Sequence, residues 1–271
     1  MFKGSEYAYY AMYLVGFIIM MLINLKSHER YEIEKKKAVT LTLITYVAGV
    51  TGALIMGRIY TAVMATVGET GTRVAIYGAL IFTPVFMITA AIAMKQPWRK
   101  VIDMLAPGIF IILTCAKFGC FMDGCCPGIK CDFGVFNPDL QATVFPSQLF
   151  ETATMLFVVA FCLWYAFKFK GAESGTVYPV TAIFYSITRF CWEFLRYYPS
   201  EEARHIIFGL TFWQFCCLLT IAVSVAWIVT SKTGWLAKKE AELTEKRRLA
   251  EKERARKRKA EKNIVHHKKR K

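Results

Sequence analysis

The chain has 271 residues, of which 55% are hydrophobic and 15% aromatic, and its formal net charge at pH 7 is +15. Residues 232–271 hold 17 Lys and Arg against 6 Glu, a net charge of +11, so the other 231 residues are close to neutral. The apolar residues lie in long runs, which excludes a soluble globular enzyme and a secreted disulfide scaffold.

Seven apolar stretches are long enough to form helices that cross a bilayer, since a crossing takes about 20 residues at a rise of about 1.5 Å each. In chain order they are, approximately, Tyr7–Leu25, Val39–Ala65, Val74–Met94, Val101–Phe121, Gln148–Phe167, Val177–Leu195 and Ile206–Thr230. The sequence therefore predicts an all-α integral membrane protein with seven transmembrane helices.

Lys and Arg concentrate in every second connection between these stretches, for example at Lys35–Lys37, Arg99 and Lys100, and again in the C-terminal tail. Because cytoplasmic loops are enriched in Lys and Arg, the N-terminus is predicted to lie outside and the C-terminus in the cytoplasm. We expect two domains, a transmembrane domain of residues 1–231 and a basic cytoplasmic tail of residues 232–271.

The tail is rich in Ala, Glu, Lys and Arg, which predicts a solvated or partly helical extension. Basic segments beside a membrane are attracted to the anionic lipids of the inner leaflet, by about 1 kcal/mol for each basic residue. We therefore expect the tail to contact these lipids. No motif indicates a nucleic-acid partner.

The sixth stretch contains three ionisable residues, Arg189, Glu193 and Arg196, at positions i, i+4 and i+7 of the expected helix. This spacing places all three on one helix face. Charges inside a membrane are costly and are therefore candidates for function. Two interpretations remain open: an ion pair between Arg189 and Glu193 at the membrane interface, or an inward-facing guanidinium array that binds an anionic headgroup.

Further polar residues are expected at the same depth, near the outer surface. Lys117 lies about one turn inside the fourth stretch, where it either snorkels outward or reaches a phosphate. The others are Arg58, Tyr77, Gln148, Glu151 and Gln214. Three glycines near the end of the fourth stretch, Gly119, Gly124 and Gly128, would allow a sharp turn and close approach of the backbone.

Four cysteines, Cys120, Cys125, Cys126 and Cys131, fall within twelve residues at this surface. Their spacing fits a tetrahedral zinc site poorly, so no metal is predicted. A disulfide in an oxidising exterior and packed thiols that form a wall of the site both remain open. The loop that holds most of them, about Met122–Pro146, is rich in Gly, Pro, Asp and Cys and is predicted to be irregular.

These motifs, taken in order, resemble those of the prolipoprotein diacylglyceryl transferase family over roughly Tyr7 to Trp227. The segment Tyr9-Tyr10-Ala-Met-Tyr13 resembles the Tyr-containing first span of the family. Gly57-Arg58 resembles its Gly-Ala-Arg element, and Tyr77-Gly78-Ala79 resembles its His-Gly-Gly segment. Lys117 to Gly128 resembles the family segment Gly-Arg-x-Gly-Asn-Phe-x-x-Gly, and Pro146 to Glu151 resembles His-Pro-Ser-Gln-Leu-Tyr-Glu. Arg189 to Arg196 resembles Arg-Phe-x-x-Glu-x-x-Arg, and Leu210 to Gln214 resembles Leu-Thr-x-Gly-Gln.

The chain departs from the family pattern at five of these positions. Lys117 stands where Arg is usual, Cys120 replaces Asn, Cys125 replaces an acidic residue, and Tyr77 and Phe145 each replace a His. Lys keeps a positive charge but lacks the planar fork of Arg, and Tyr lacks the near-neutral titration of His. The chain is closer to a divergent branch with Gly-Cys-Phe-x-x-Gly-Cys-Cys at the signature.

The resemblance implies a multi-pass enzyme of the bacterial plasma membrane that needs no cofactor. It would transfer the diacylglyceryl group of phosphatidylglycerol to the thiol of the lipobox Cys in an exported prolipoprotein, and release glycerol phosphate. In this interpretation, the residues that bind phosphate and lipid are Arg189, Lys117, Arg196, Arg58, Gln148 and Gln214. The residues that would orient or accept the thiol proton are Tyr77, Tyr9, Glu193 and Glu151.

Two other functions remain open at this point. One is a non-catalytic lipid-binding membrane protein of the same fold. The other is a membrane thiol or redox protein that uses the outer cysteine cluster. The remaining histidine near this surface, His205, stands alone and is predicted to be a solvated loop residue.

Overall fold

A computed structural model describes residues 6–69, 75–168 and 175–268 of the chain. The chain forms two compact units, Met1–Val229 and Thr230–Lys271. The helices of the first unit are α1 Glu6–Ser27, α2 Lys35–Ala65, α3 Tyr77–Ala93, α4 Trp98–Asp123, α5 Ser147–Lys168, α6 Val177–Glu193, α7 Glu201–Arg204 and α8 Phe212–Lys232, the last three residues of which belong to the second unit.

Each of the seven predicted stretches overlaps a helix, and α7 is a single additional turn in the loop after α6. The last of these helices, α8, begins at Phe212 and not near Ile206, and Val74, the predicted start of the third stretch, lies outside the described residues. Among the described residues, five helices are long and apolar enough to cross a membrane: α1, α2, α4, α5 and α8. The helix α3 is apolar but has only 17 residues. The chain is therefore a mainly helical membrane protein, as the sequence predicted.

Helix α4 forms the centre of the first unit and packs against α1, α3, α5 and α6. In the most apolar 18-residue segment of α4, 83% of the residues are buried inside the protein. Close crossings depend on glycine, because small residues let backbones approach each other within a membrane. A Cβ atom added at Gly16 of α1 would lie 3.1 Å from Ile112 Cα of α4, and one at Gly78 of α3 would collide with the Gly52 carbonyl of α2.

A carboxylate from α4 caps the first turn of α6. The Asp103 side chain is fully buried. Its Oδ2 accepts a hydrogen bond from Gly175 N, and its Oδ1 accepts one from Val177 N, both at 2.9 Å. Because the first N–H groups of a helix have no partner inside the helix, this contact satisfies two donors and fixes the start of α6 against α4.

The loop between α4 and α5 contains a two-stranded antiparallel sheet, β1 Lys130–Asn137 and β2 Ala142–Val144, so the prediction of an irregular loop is wrong here. The side chain of Asn137 closes the turn, since its Oδ1 accepts hydrogen bonds from Asp139 N and Leu140 N at 3.0 Å each. This is the way Asn stabilises tight turns. The pairing is irregular between Lys130 and Val135.

Backbone hydrogen bonds join this hairpin to the segment that follows α6. Ile129 N donates to Leu195 O at 3.0 Å, and Tyr197 N donates to Pro127 O at 3.1 Å. Gly128 N donates to Phe145 O at 3.1 Å on the other side. The loop after α4, the start of α5 and the end of α6 therefore meet as one structural unit.

The second unit consists mainly of one long helix, α9 Trp235–Lys268. Its 34 residues extend over about 51 Å at the usual rise. Most of its described side chains are exposed, and Lys239 Nζ pairs with Glu242 Oε2 at 3.1 Å.

Candidate functional site

Five ionisable side chains meet where the end of α4, the start of α5 and the end of α6 come together. They are Lys117, Glu151, Arg189, Glu193 and Arg196, which we call the ionic cluster. None of the five side chains is more than 10% exposed. A buried charge costs several kcal/mol unless it is paired, so each of them depends on the others.

The two carboxylates bridge the three cations of the ionic cluster. Lys117 Nζ lies 2.5 Å from Glu151 Oε2, and Arg189 Nη1 forms an ion pair with Glu193 Oε2. Glu151 Oε1 lies 3.7 Å from both Arg189 Nη1 and Arg196 Nε, and Arg196 Nε lies 3.8 Å from Glu193 Oε2. The helices α4, α5 and α6 are thus connected by one network.

The ionic cluster is not electrically balanced, because three cations share two carboxylates. In the ordinary ionisation states the five groups carry one net positive charge. A surplus charge in a poorly solvated place attracts a counter-ion strongly. The cluster is therefore suited to binding a singly charged anion.

The structure confirms one of the two interpretations of the spacing in the sixth stretch, because the ion pair between Arg189 and Glu193 is formed. Binding of an anionic headgroup stays a prediction. The prediction that all three residues share one helix face is wrong for Arg196, because α6 ends at Glu193 and Arg196 lies three residues beyond it, where its backbone pairs with Gly128. Arg196 still reaches Glu151 and Glu193, so the three side chains belong to one cluster.

The cysteine-containing turn is held against the ionic cluster through its carbonyl groups. Arg196 Nη1 donates to Cys126 O at 2.7 Å, and Gln148 Nε2 donates to Cys125 O at 2.6 Å. Cys126 adopts φ of +59°, in the left-handed region that side chains other than Gly rarely occupy. The two hydrogen bonds and the adjoining backbone ladder hold this turn in place.

The nine cysteines, all within the described part of the chain, are free, so the disulfide that the sequence left open is not formed. The Cys125 thiol contacts Cys120 O at 3.7 Å, so these two cysteines lie beside each other. Cys131 lies on β1, where its thiol contacts Phe133 O. The role of the cysteines as a wall of the site stays a prediction.

Tyr198 is a member of the site that the sequence analysis missed. Its hydroxyl donates a hydrogen bond to Glu193 Oε1, the oxygen that Arg189 leaves free. Tyr198 stands in the loop after α6, two residues beyond Arg196. Loop residues follow no helix or strand periodicity, so the sequence indicates this contact only by the position of Tyr198 in the run Arg196-Tyr197-Tyr198.

Several residues that the resemblance assigned to binding or catalysis lie elsewhere. The Tyr77 hydroxyl is 3.0 Å from Ser186 Oγ and donates to Thr220 Oγ1 at 3.1 Å, between α6 and α8. Arg58 is exposed on α2. The side chain of Tyr9 lies outside the described residues.

Gln214 takes part in a helix cap. Its Oε1 accepts from Thr211 N and Thr211 Oγ1 accepts from Gln214 N, both at 3.1 Å, which is a capping box at the start of α8. The buried Gln214 Nε2 has no hydrogen-bond partner among the described residues.

The glycines of the signature have separate structural roles. Gly119 is buried within α4, and Gly124 ends that helix with φ of +76°. A Cβ atom at Gly128 would collide with Phe145 O, so only glycine fits there. His205 is exposed in the loop after α7, where its Nδ1 lies 2.9 Å from Gly209 O and its Nε2 lies 3.2 Å from Glu201 Oε2.

An apolar cavity of about 420 Å³ lies between α1, α2, α3 and α4. Its lining includes Tyr13, Gly49, Ala79 and Ala116. Ala116 directly precedes Lys117 on α4, so the cavity and the ionic cluster lie on different faces of the same turn.

The fold and the site together define a multi-helix membrane protein with a buried, net positive ionic cluster beside an apolar cavity. The family model for prolipoprotein diacylglyceryl transferase matches residues 4–230. The chain belongs to this family and is a transferase.

Two relatives are similar over most of their length. One is phosphatidylglycerol–prolipoprotein diacylglyceryl transferase 2 of Clostridium perfringens (strain 13 / Type A), 29% identical over 208 residues, which are 71% of this chain and 80% of the relative. The other is phosphatidylglycerol–prolipoprotein diacylglyceryl transferase of Clostridium tetani (strain Massachusetts / E88), 24% identical over 239 residues, which are 83% of this chain and 93% of the relative.

Proposed function

We propose that this chain moves the diacylglyceryl group of phosphatidylglycerol to the lipobox cysteine thiol of an exported prolipoprotein, and releases glycerol phosphate. The observation that carries the proposal is the single net positive charge of the ionic cluster. A phosphodiester bears one negative charge, so its binding neutralises the cluster. A zwitterionic headgroup would leave the charge uncompensated.

In this proposal Arg189, Arg196 and Lys117 bind the phosphate. Negative charge on the phosphate grows as its bond to the glyceryl carbon breaks, so fixed cations stabilise the transition state more than the bound donor. Arg189 is the central member, because it contacts both Glu151 and Glu193 and is itself only 5% exposed. The two carboxylates orient the cations.

The apolar cavity would hold an acyl chain of the donor lipid. Ala116, which lines the cavity, directly precedes Lys117 on α4, and this suits a lipid whose headgroup reaches the ionic cluster and whose chain lies between the helices. Burial of each methylene group there contributes about 0.8 kcal/mol.

We further propose seven membrane crossings, with the N-terminus outside and the ionic cluster in the outer half of the bacterial plasma membrane. The seven helices α1 to α6 and α8, and the excess of Lys and Arg in alternate connections, support this orientation. An exported acceptor then reaches the site from the side where its lipobox emerges. Residues 1–231 would form the transferase domain and residues 232–271 a cytoplasmic tail.

The test is complementation of a bacterium depleted of its own transferase, scored by lipidation of a reporter prolipoprotein. The wild-type chain should restore lipidation. Arg189→Ala should abolish it, because it removes the surplus positive charge of the ionic cluster and leaves the buried Glu193 without its nearest cation, a loss that costs about 3–5 kcal/mol. Arg30→Ala, which removes an exposed arginine of the loop after α1, serves as the matched control and should lipidate normally.

Two results would contradict the proposal. A well-expressed wild-type chain that leaves the reporter unmodified would refute the reaction. An Arg189→Ala chain with full activity would refute the assignment of the phosphate site, and leave the reaction standing.

A further inference from the structure

The charge of the ionic cluster selects a singly charged phosphodiester but does not select its headgroup. Lipids with one phosphodiester and an uncharged headgroup carry the same charge, whether or not that headgroup bears hydroxyl groups. A choice among them needs a neutral hydrogen-bonding group, because a site that pairs with a substrate hydroxyl discriminates against an analogue without one. The group required is a polar side chain beside the ionic cluster whose hydrogen-bonding capacity the protein leaves unused.

Ser147, the first residue of α5, has such a side chain. The residue is fully buried, and its Oγ has no hydrogen-bond partner among the described residues. A buried hydroxyl without a partner is unfavourable and uncommon in folded proteins. Thr152 and Thr154 on the same helix show the usual alternative, since each hydroxyl donates to the carbonyl four residues earlier. Ser147 begins the helix, so no helical carbonyl precedes it at that spacing.

The helix α5 places this hydroxyl beside the ionic cluster. Ser147 and Glu151 are four residues apart and both buried, so they share one face of α5 and are separated by a rise of about 6 Å. Glu151 is the carboxylate that contacts all three cations. The first turn of α5 is held in position, because Ser147 N donates to Phe145 O at 2.8 Å. Gln148 Nε2 also donates to Cys125 O at 2.6 Å.

The apolar cavity and Ser147 lie in opposite directions from the ionic cluster. On α4 the cavity is lined by residues between Ile109 and Ala116, all of which precede Lys117. Ser147 lies one turn beyond Glu151, where α5 adjoins the loop that follows α4. A donor whose acyl chain occupies the cavity and whose phosphate contacts the cations therefore directs its headgroup toward Ser147.

We propose that Ser147 forms a hydrogen bond with a headgroup hydroxyl of phosphatidylglycerol and is a specificity-determining residue of the transfer. The inference rests on the proposed function, which it deepens. The glycerol headgroup carries its hydroxyls within a few bonds of the phosphate, which suits a partner one helical turn from the cations. The serine hydroxyl both donates and accepts. It is neutral, so the ionic cluster keeps its net positive charge.

The test compares two donors of equal charge with the full-length protein. Vesicles of phosphatidylcholine contain either phosphatidylglycerol or phosphatidylpropanol, whose headgroup has the same three-carbon chain without hydroxyls, and a lipobox peptide is the acceptor. The wild type should have a kcat/KM about tenfold higher with phosphatidylglycerol, the contribution of one buried hydrogen bond. Ser147→Ala should remove this preference by lowering transfer from phosphatidylglycerol about tenfold, with transfer from phosphatidylpropanol unchanged within about twofold.

Thr152→Val is the matched control for this comparison. Thr152 is buried on the same helix, and its hydroxyl already donates to Gln148 O at 2.7 Å. Loss of that hydroxyl removes a contact within the protein and none with the headgroup. The variant should therefore keep the wild-type preference between the two donors, whatever its stability.

A second measurement does not depend on transfer. Isothermal titration of the full-length protein in detergent with short-chain forms of the two donors, without acceptor, gives their dissociation constants. The wild type should bind phosphatidylglycerol about tenfold more tightly than phosphatidylpropanol, and Ser147→Ala should bind the two with similar affinity.

The outcomes separate this inference from the proposed function. A protein that transfers nothing, while its binding preference depends on Ser147, refutes the proposed function alone. A wild type that shows no preference between the donors overturns the role of Ser147, and so does a Ser147→Ala variant that keeps the preference. Equal losses with both donors also overturn it, because they indicate a contact with the phosphate or a purely structural role.

Discussion

Tyr198 illustrates how a single side chain outside the membrane-spanning helices completes the ionic cluster. Its hydroxyl occupies the oxygen of Glu193 that Arg189 does not bind. Glu193 is fully buried, so a lost donor there is not replaced by water. The orientation of Glu193, and through it of Arg189, therefore depends on this phenol.

We predict that Tyr198→Phe slows transfer by about tenfold or more, because a hydrogen bond to a charged group is worth about 1.5–3 kcal/mol. The loss should appear mainly in kcat, since Arg189 remains present but less well oriented. Tyr197→Phe is the control, because Tyr197 has its ring 5.9 Å from Lys130 Nζ and lies one residue earlier. Equal rates for both variants would show that Tyr198 has no positioning role.

For individual residues, the sequence predicted most members of the ionic cluster but not the loop contacts around it. The period of α6 places Arg189 and Glu193 together, and polar residues at equal depth predict the approach of Lys117 and Glu151. Arg196 joins them from beyond the end of α6, which the helical period does not predict. Contacts made by loop residues cannot be predicted from such a periodicity. The hydrogen bond of Tyr198 and the φ of Cys126 follow only from the path of the chain after each helix ends.

Among the elements, α6 carries two members of the ionic cluster at its C-terminal end and is fixed at its other end by α4. Asp103 supplies both oxygens of its carboxylate to this contact. The ionic cluster and the Asp103 cap thus hold the two ends of one helix. The position of Arg189 depends on both.

We predict that Asp103→Ala lowers the free energy of unfolding by about 1–3 kcal/mol, since two buried N–H groups lose their acceptor. Thermal unfolding in detergent, followed by tryptophan fluorescence, measures the change. Glu34→Ala is the matched control, because Glu34 stands at the N-cap of α2 without a side-chain cap bond. An unchanged midpoint for Asp103→Ala would contradict the capping role.

The helices could be predicted from the sequence because a bilayer demands long apolar runs. The hairpin between α4 and α5 could not, because its second strand has three residues and its first is interrupted by a register shift. Gly134 and Asn137 are residue types typical of loops, and only the structure shows that Asn137 closes a turn. The amino-acid composition of this segment therefore did not indicate that it forms a short β-hairpin.

For the whole first unit, the cavity between α1 and α4 makes a prediction about the donor lipid. Ala79→Phe places a ring in the cavity that Ala79 lines. We expect this variant to lose activity with long-chain phosphatidylglycerol and to keep most of it with a short-chain donor. Transfer assays with the two lipids measure the ratio.

Val85→Phe is the control for this variant, because Val85 lies on the same helix but is 61% exposed. Its preference between the two donors should match that of the wild type. If Ala79→Phe also shows the wild-type preference, the acyl chain does not occupy the cavity.

The second unit makes a prediction of its own, because its excess of Lys and Arg indicates attraction to anionic lipid. A peptide of residues 235–271 should bind vesicles that contain phosphatidylglycerol and should be released by salt, since added ions screen such attraction. Binding measured by co-sedimentation, with phosphatidylcholine vesicles as control, tests this. Equal binding to both vesicle types would contradict an electrostatic attachment.

The backbone bonds between the hairpin and the end of α6 have a mechanical consequence. Ile129 is bonded to Leu195, and Tyr197 to Pro127, on either side of Arg196. Any displacement of the hairpin is therefore transmitted to the main chain that carries the guanidinium of Arg196. If the acceptor peptide contacts the hairpin, as an approach from the outer side in the proposed function would allow, its binding would shift Arg196 before any bond is made.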